Sequence, residues 1–185
     1  MTICVKGETN VKPGSCVTGS VTRLWKPWVI SDSGLEFLKN YEELALSMYN
    51  DSANHATIGY GHLIHHGPIS GASSETPFKK GITEAGASEL LRRDLSSRED
   101  LVNEKVKVPL HQHEYDALVI FCFNIGNGGF SGSNALKTLN AGKYSEIPDE
   151  IMKWDKANGK KSKGLVNRRT EEVEIFRNAE YKRTR

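Results

Sequence analysis

The sequence predicts an α+β fold, mainly α, with one helix and a small sheet followed only by helices. Three observations lead there. Apolar residues recur at helical spacing in the stretches 35–41, 87–102 and 112–124. Between the first two, Met48 to Gly61 is punctuated by Asn50-Asp51, Gly59 and Gly61 and reads as short strands and turns. The longest apolar run, Ala117 to Phe123, is seven residues, far short of the roughly 20 that span a bilayer. No integral membrane segment is therefore expected.

Each element has its own signal. Residues 1–30, with Gly7, Pro13, Gly14, Gly19 and Pro27, show no helical periodicity and read as an arm or strand-rich extension of unknown role. Trp25 and Trp28 are expected to pack it onto the domain formed by residues 31–185. Ser33 and Glu36 form an S-x-x-E capping box ahead of Leu35, Leu38 and Tyr41. Glu42, four residues after Leu38, falls on the buried edge of that helix. His65 to Lys80 reads as a loop. Thr83 caps a helix of about 20 residues whose apolar face is Ala87, Leu90, Leu91, Leu95, Leu101 and Val102. Gln112 to Asn124 is apolar nearly all round, as a central helix should be, and breaks at Gly126–Gly129. Shorter helices are expected near residues 133–140, 148–156 and 165–178.

Composition and charge bound the function. Charged residues are 26% and apolar residues 37%, which excludes wholesale disorder. A chain of 185 residues buries about 70% of its unfolded surface and needs no disulfide scaffold. The net charge is +2, yet residues 156–185 hold ten basic against four acidic side chains. Such an end suits a polyanion, but a solvated helix with Glu and Arg interleaved is the plainer reading. With Phe176 and Tyr181 its only aromatics, it does not point to nucleic acid. Cys122 lies within the apolar run and reads as a core residue; Cys4 and Cys16 could close a loop in an oxidising compartment. No signal peptide is visible, so synthesis in the cytoplasm is expected.

The densest cluster of polar and special residues runs from Glu42 to His62. Glycoside hydrolysis needs one carboxyl to protonate the leaving oxygen and another, ionised, to activate water. Glu42, on an apolar edge at a helix C-terminus, suits the acid; Asp51, in a polar turn, suits the ionised partner. Thr57 can hold a water against Asp51. Asp94 lies on the apolar stripe beside Leu90, Leu91 and Leu95, where an unpaired carboxylate would be costly.

The string E-x8-D-x5-T-I-G-Y-G-H from Glu42 to His62 resembles the active-site signature of the phage-type lysozymes (endolysins), glycoside hydrolase family 24. The likeness continues through Ile82-Thr83-Glu84-Ala85, Leu90 to Leu95, His113 to Leu118, Phe123-Asn124-Ile125-Gly126, Leu139-Asn140-Ala141-Gly142, Trp154 and Gly164 to Glu172. It covers roughly residues 31–180, in order. The resemblance implies a two-lobed lysozyme-like fold: a small antiparallel sheet lobe and a helical lobe joined by a long helix. It implies a muramidase that cleaves the β-1,4 bond between N-acetylmuramic acid and N-acetylglucosamine, without cofactor, and the Thr57–Asp51 arrangement suggests inversion. It makes Glu42 the general acid, Asp51 the base and Thr57 the residue that fixes the water. Leu63 and Phe123 fall on the sugar-binding cleft, and His62 pairs with Asp94 as a structural ion pair. Glu43 stands where the family usually has glycine and offers a rival carboxylate.

The implied partner is bacterial peptidoglycan, met by a monomer in the periplasm or wall. A holin, phage tail, secretion-system or immunity partner would depend on whether the setting is phage lysis, entry or a delivered antibacterial toxin. Two other classes fit the sequence less well. His62, His65 and His66 invite a zinc amidase, but no Cys or Glu follows at ligand spacing, so no metal is expected. A non-catalytic wall-binding module would have lost Glu42, Asp51 or Thr57, and all three are present.

Overall fold

A computed structural model describes residues 2–3, 17–18, 23–25, 28–157 and 159–183. Two-residue strands β1 (Thr2–Ile3) and β2 (Val17–Thr18) pair antiparallel. Helix α1 (Asp32–Lys39) starts ahead of the expected Ser33–Glu36 box, because Ser31 is its N-cap. The Ser31 hydroxyl accepts the Gly34 N–H at 3.1 Å and donates to Asp116. The cause is long-range. Asp116 is fully buried, and Ser31, Gln112 and Tyr181 supply the donors that a buried carboxylate demands. A Cβ at Gly34 would lie 3.0 Å from the Asp116 carboxyl carbon, so glycine permits this approach.

Strands β3 (Ala45–Asn50), β4 (Ala56–Gly59) and β5 (His62–His65) form one antiparallel sheet in that order. Its register places Tyr49, Thr57 and Leu63 side by side on one face. The segment expected as plain loop after β5 contains a 3-10 turn at Ser73–Phe78, and it returns to the sheet where the Ile82 N–H meets the Leu46 carbonyl at 2.9 Å. Helix α2 (Glu84–Lys105), capped by Thr83 as the sequence predicts, packs its N-terminal half on the sheet and its buried stripe on the next helix. It therefore joins the two lobes.

Helix α3 (Gln112–Gly132) is the centre of the helical lobe, with Tyr115, Ala117, Leu118, Val119, Ile120, Phe121 and Cys122 all buried. Gly126 interrupts it at φ +80°, a left-handed conformation that suits glycine. Around it stand α4 (Asn134–Asn140), α5 (Ile147–Met152) and α6 (Lys163–Asn178). The helix expected through Lys156 ends at Met152, and a hairpin of β6 (Lys156–Ala157) and β7 (Lys160–Lys161) leads into α6.

Two expectations need correction. The basic C-terminal helix is not a solvated one: Arg168, Arg169, Glu171 and Glu172 on α6 are all buried. Arg169 donates to Glu172 and to the Asn124 side-chain oxygen, both at 2.7 Å, and its guanidinium lies 5.1 Å from the Phe121 ring centre. Pairing on one helix lets opposite charges enter the interior together. Of the two tryptophans expected to anchor the arm, only Trp28 does so. It stacks on Tyr115 at 6.1 Å, and Asn103 bonds both its N–H and its carbonyl, while Trp25 is 66% exposed. Residues 23–25 are held by Leu24, which exchanges two backbone hydrogen bonds with Leu110, and by Arg23. Arg23 donates to both oxygens of the buried Glu114 carboxylate and lies 3.8 Å over Tyr144. Cys122 is a free buried thiol, pushed up to about 11 by desolvation. Cys4 and Cys16 lie outside the described residues.

Candidate active site

The candidate residues come from the end of α1 and the sheet that follows it. α1 closes at Lys39, but the backbone keeps turning, and the Glu42 N–H still reaches the Leu38 carbonyl at 3.3 Å. That turn sets Glu42 against α6, where Arg168 donates to it at 3.4 Å. The Glu42 side chain keeps 26% of its exposure, and the neighbouring Glu43 is exposed. Among the described residues Glu43 has no ion-pair partner, so the two adjacent carboxylates differ sharply in setting.

Asp51 occupies the turn between β3 and β4. Its carboxylate accepts the Ala53 and His55 N–H groups, each at 2.9 Å, and its own N–H bonds the His55 carbonyl. The His55 N–H, joined by that of Ala53, holds this carboxyl below its ordinary range, so it is ionised near neutrality. Thr57 is buried on β4, and its hydroxyl donates to the His55 carbonyl at 3.1 Å. With its proton committed there, the oxygen faces any further partner as an acceptor. Leu63, 42% exposed, stands beside Thr57 in the next strand. Phe123, half-buried near the end of the apolar part of α3, has the Arg98 guanidinium 5.6 Å from its ring centre.

His62 opens β5 and meets α2. Its Nδ1 lies 3.0 Å from both Asp94 carboxylate oxygens, across the seam between the sheet and the long helix. The other histidines are committed elsewhere. His65 Nε2 lies 2.8 Å from buried Glu75 and its Nδ1 lies 3.0 Å from the His66 carbonyl; the His66 ring packs edge-on against His55 at 4.8 Å. Among the described residues no three His, Cys, Asp or Glu side chains gather as metal ligands.

Two residues at this site were not singled out from sequence. Tyr49, level with Thr57, has its phenol pushed up first by burial and then by the charges of Asp51, Glu43 and Glu42. It is thus a common neighbour of the carboxylates. Arg168 belongs to the Gly164 to Glu172 stretch that resembles the family. Its only local signal is Glu172 four residues later on the same helix, which pairs with it and does not point to Glu42.

The chain matches the phage lysozyme family over residues 39–172. It belongs to that family. Similar phage lysozymes include the endolysin of Acyrthosiphon pisum secondary endosymbiont phage 1, 41% identical over 81% of this chain and 99% of the relative. The endolysin of Salmonella phage P22 is 40% identical over 80% and 97%. Against the endolysin of Bacillus phage PZA identity is 37% over 80% of this chain, but the chain spans only 54% of that relative's length. Among solved phage lysozymes, the endolysin of Escherichia coli O157:H7 phage FAHEc1 superposes with a TM-score of 0.72. It is 33% identical and covers 86% of this chain and 99% of its own.

Proposed function

We propose that this phage lysozyme is a muramidase that hydrolyses the β-1,4 bond between N-acetylmuramic acid and N-acetylglucosamine of bacterial peptidoglycan. The observation that carries the reading is the unequal setting of its two carboxylates. Glu42 is recessed at a helix end against Arg168, while Asp51 is kept ionised by backbone N–H groups in an open turn. Glu42, in its acid form, gives its proton to the glycosidic oxygen as the bond from C1 breaks. Asp51 takes a proton from a water held against the acceptor lone pairs of Thr57, and that water's oxygen bonds to C1 from the opposite face. The product is inverted. Arg168 fixes the Glu42 carboxyl in place, Leu63 and Phe123 flank the sugars, and His62–Asp94 holds the sheet to α2. No cofactor enters any step. The enzyme acts at the cell wall.

Reducing-sugar release from purified peptidoglycan tests this. Wild type is expected to release it, Glu42→Gln to lose at least about 100-fold, the usual contribution of a general acid, and Glu43→Gln to keep most of its rate. The reverse ranking would move the acid to Glu43. Polarimetry or NMR of the first product should show the α-anomer; retained β-configuration or a trapped glycosyl-enzyme would overturn inversion.

A further inference from the structure

A cavity of about 420 Å³ opens on the helical lobe next to Glu42. Its lining includes Tyr41, Asn124, Asn167, Arg168 and Arg183, and holds two guanidiniums but no acidic side chain. The Tyr41 ring gathers the two cations: Arg168 lies 4.8 Å and Arg183 4.7 Å from its centre. Arg183 also donates to the Asn40 carbonyl, and among the described residues it pairs with no carboxylate. The Arg168 side chain is nine-tenths buried, and its Nη2 has no hydrogen-bond partner among the described residues. At the rim, the first turn of α6 is capped by the neutral Ser162 hydroxyl, carries no acid and begins with Lys163, so no charge offsets the positive end of the helix dipole there. A buried cation with an idle donor, a second cation without an acid, and a helix end without acidic side chains all favour an anion in this cavity.

The cavity is tied to the site already described. Tyr41 precedes Glu42 in the chain, and Arg168 touches both Glu42 and the cavity. An anion lodged here is therefore carried by the strand whose glycosidic bond lies at Glu42, and every carboxylate of that strand hangs from its muramyl residues, on the stem peptide or, where the peptide is removed, on the lactyl group. We propose that the Arg168–Arg183 cavity is a subsite for a muramyl carboxylate, either the lactyl group itself or the stem peptide attached to it. This rests on the muramidase reading and adds a preference for charged over neutral glycan. Planar guanidiniums suit a carboxylate because they present paired N–H groups to its two oxygens.

The test compares wild type, Arg183→Ala and Arg183→Lys on three substrates. These are uncrosslinked strands bearing stem peptides, strands stripped by an amidase to expose lactyl carboxylates, and the stripped strands with that carboxylate converted to its methylamide. Arg183→Ala is expected to raise KM about three- to tenfold on carboxylate-bearing strands, the range for a partly exposed charged contact. kcat and the KM on methylamide strands should not move, and Arg183→Lys should recover part of the loss. An effect on stripped strands assigns the lactyl group; an effect on peptide-bearing strands alone assigns the stem. Equal KM changes on all three substrates, or none, overturn the subsite. If wild type cleaves no strand, the muramidase reading fails by itself. Calorimetric binding of stripped and methylamide strands to wild type and Arg183→Ala then still decides the subsite, and an unchanged Kd rejects it.

Discussion

The Thr57 hydroxyl spends its proton on the His55 carbonyl, and His55 also supplies an N–H to Asp51. One short backbone turn thus sets both the orientation of the hydroxyl oxygen and the charge of the carboxylate. Replacing Thr57 by Val keeps the shape and removes the acceptor. About a 100-fold fall in kcat is expected with KM nearly unchanged, as for a misplaced reacting water, and Thr57→Ser should restore most of it. Stopped peptidoglycan digests scored for reducing ends would measure the split. On α6, Glu172 is the acid that admits two arginines to the interior. Glu172→Gln removes the carboxylate that Arg168 and Arg169 share and should cost about 3 kcal/mol, read as a lowered urea midpoint with an unchanged slope. Glu42, Asp51 and Thr57 could be picked out from sequence because their spacing lies within one helix end and one hairpin. Arg168 could not be paired with Glu42, since 126 positions separate them and no local periodicity reports such a contact.

The loop from His65 to Lys80 depends on a single buried carboxylate. Glu75 accepts the Ser70 and Gly71 N–H groups at 2.8 Å each and meets His65 at 2.8 Å. The Ser70 N–H first, then the His65 hydrogen bond, hold Glu75 down to about 2. The His66 carbonyl first, then Glu75, push His65 above its ordinary 6.5. Both ring nitrogens face acceptors, so the doubly protonated ring satisfies this geometry. A raised histidine stabilises the fold fully below 6.5 and loses that contribution as pH climbs through its folded value. A depressed glutamate contributes fully above its ordinary 4.5 and loses it as pH falls towards about 2. The loop should therefore be tightest between about pH 4.5 and 6.5. Hydrogen-exchange protection factors of the Ser70 and Gly71 amides would show it, and Glu75→Gln should flatten the acid limb. At the far end, Gly81 has φ +75°, and a Cβ there would lie 2.7 Å from the Leu46 carbonyl oxygen. The sequence marked this segment as loop from its Gly, Ser and Pro content. It could not reveal the order inside, because the ordering group is a lone acid whose partners are mostly backbone.

Two lobes and an arm are joined by few, well-defined contacts. The sheet meets α2 at His62–Asp94, which is partly exposed, so Asp94→Ala should cost only about 1 kcal/mol and leave Glu42, Asp51 and Thr57 in place. The arm contact reaches deeper. Glu114 is nearly inaccessible, and it also accepts the His111 N–H that starts α3. Arg23→Ala should loosen residues 23–25 and lower the thermal midpoint by several degrees, about what 1–2 kcal/mol gives for a domain of this size. The fold class followed from patterning, since periods of helix and strand are properties of short windows. The docking of the arm did not, because Leu24 joins Leu110 through backbone atoms that carry no side-chain signature.

Asp116 accepts from Ser31 at the start of α1 and from Tyr181 near the end of the chain. Arg168, from the last helix, is the partner of Glu42, which follows the first. On the ribosome the earliest helical segment must therefore wait for the latest one before its acid is seated. Glu42 therefore meets Arg168 only once synthesis has passed α6.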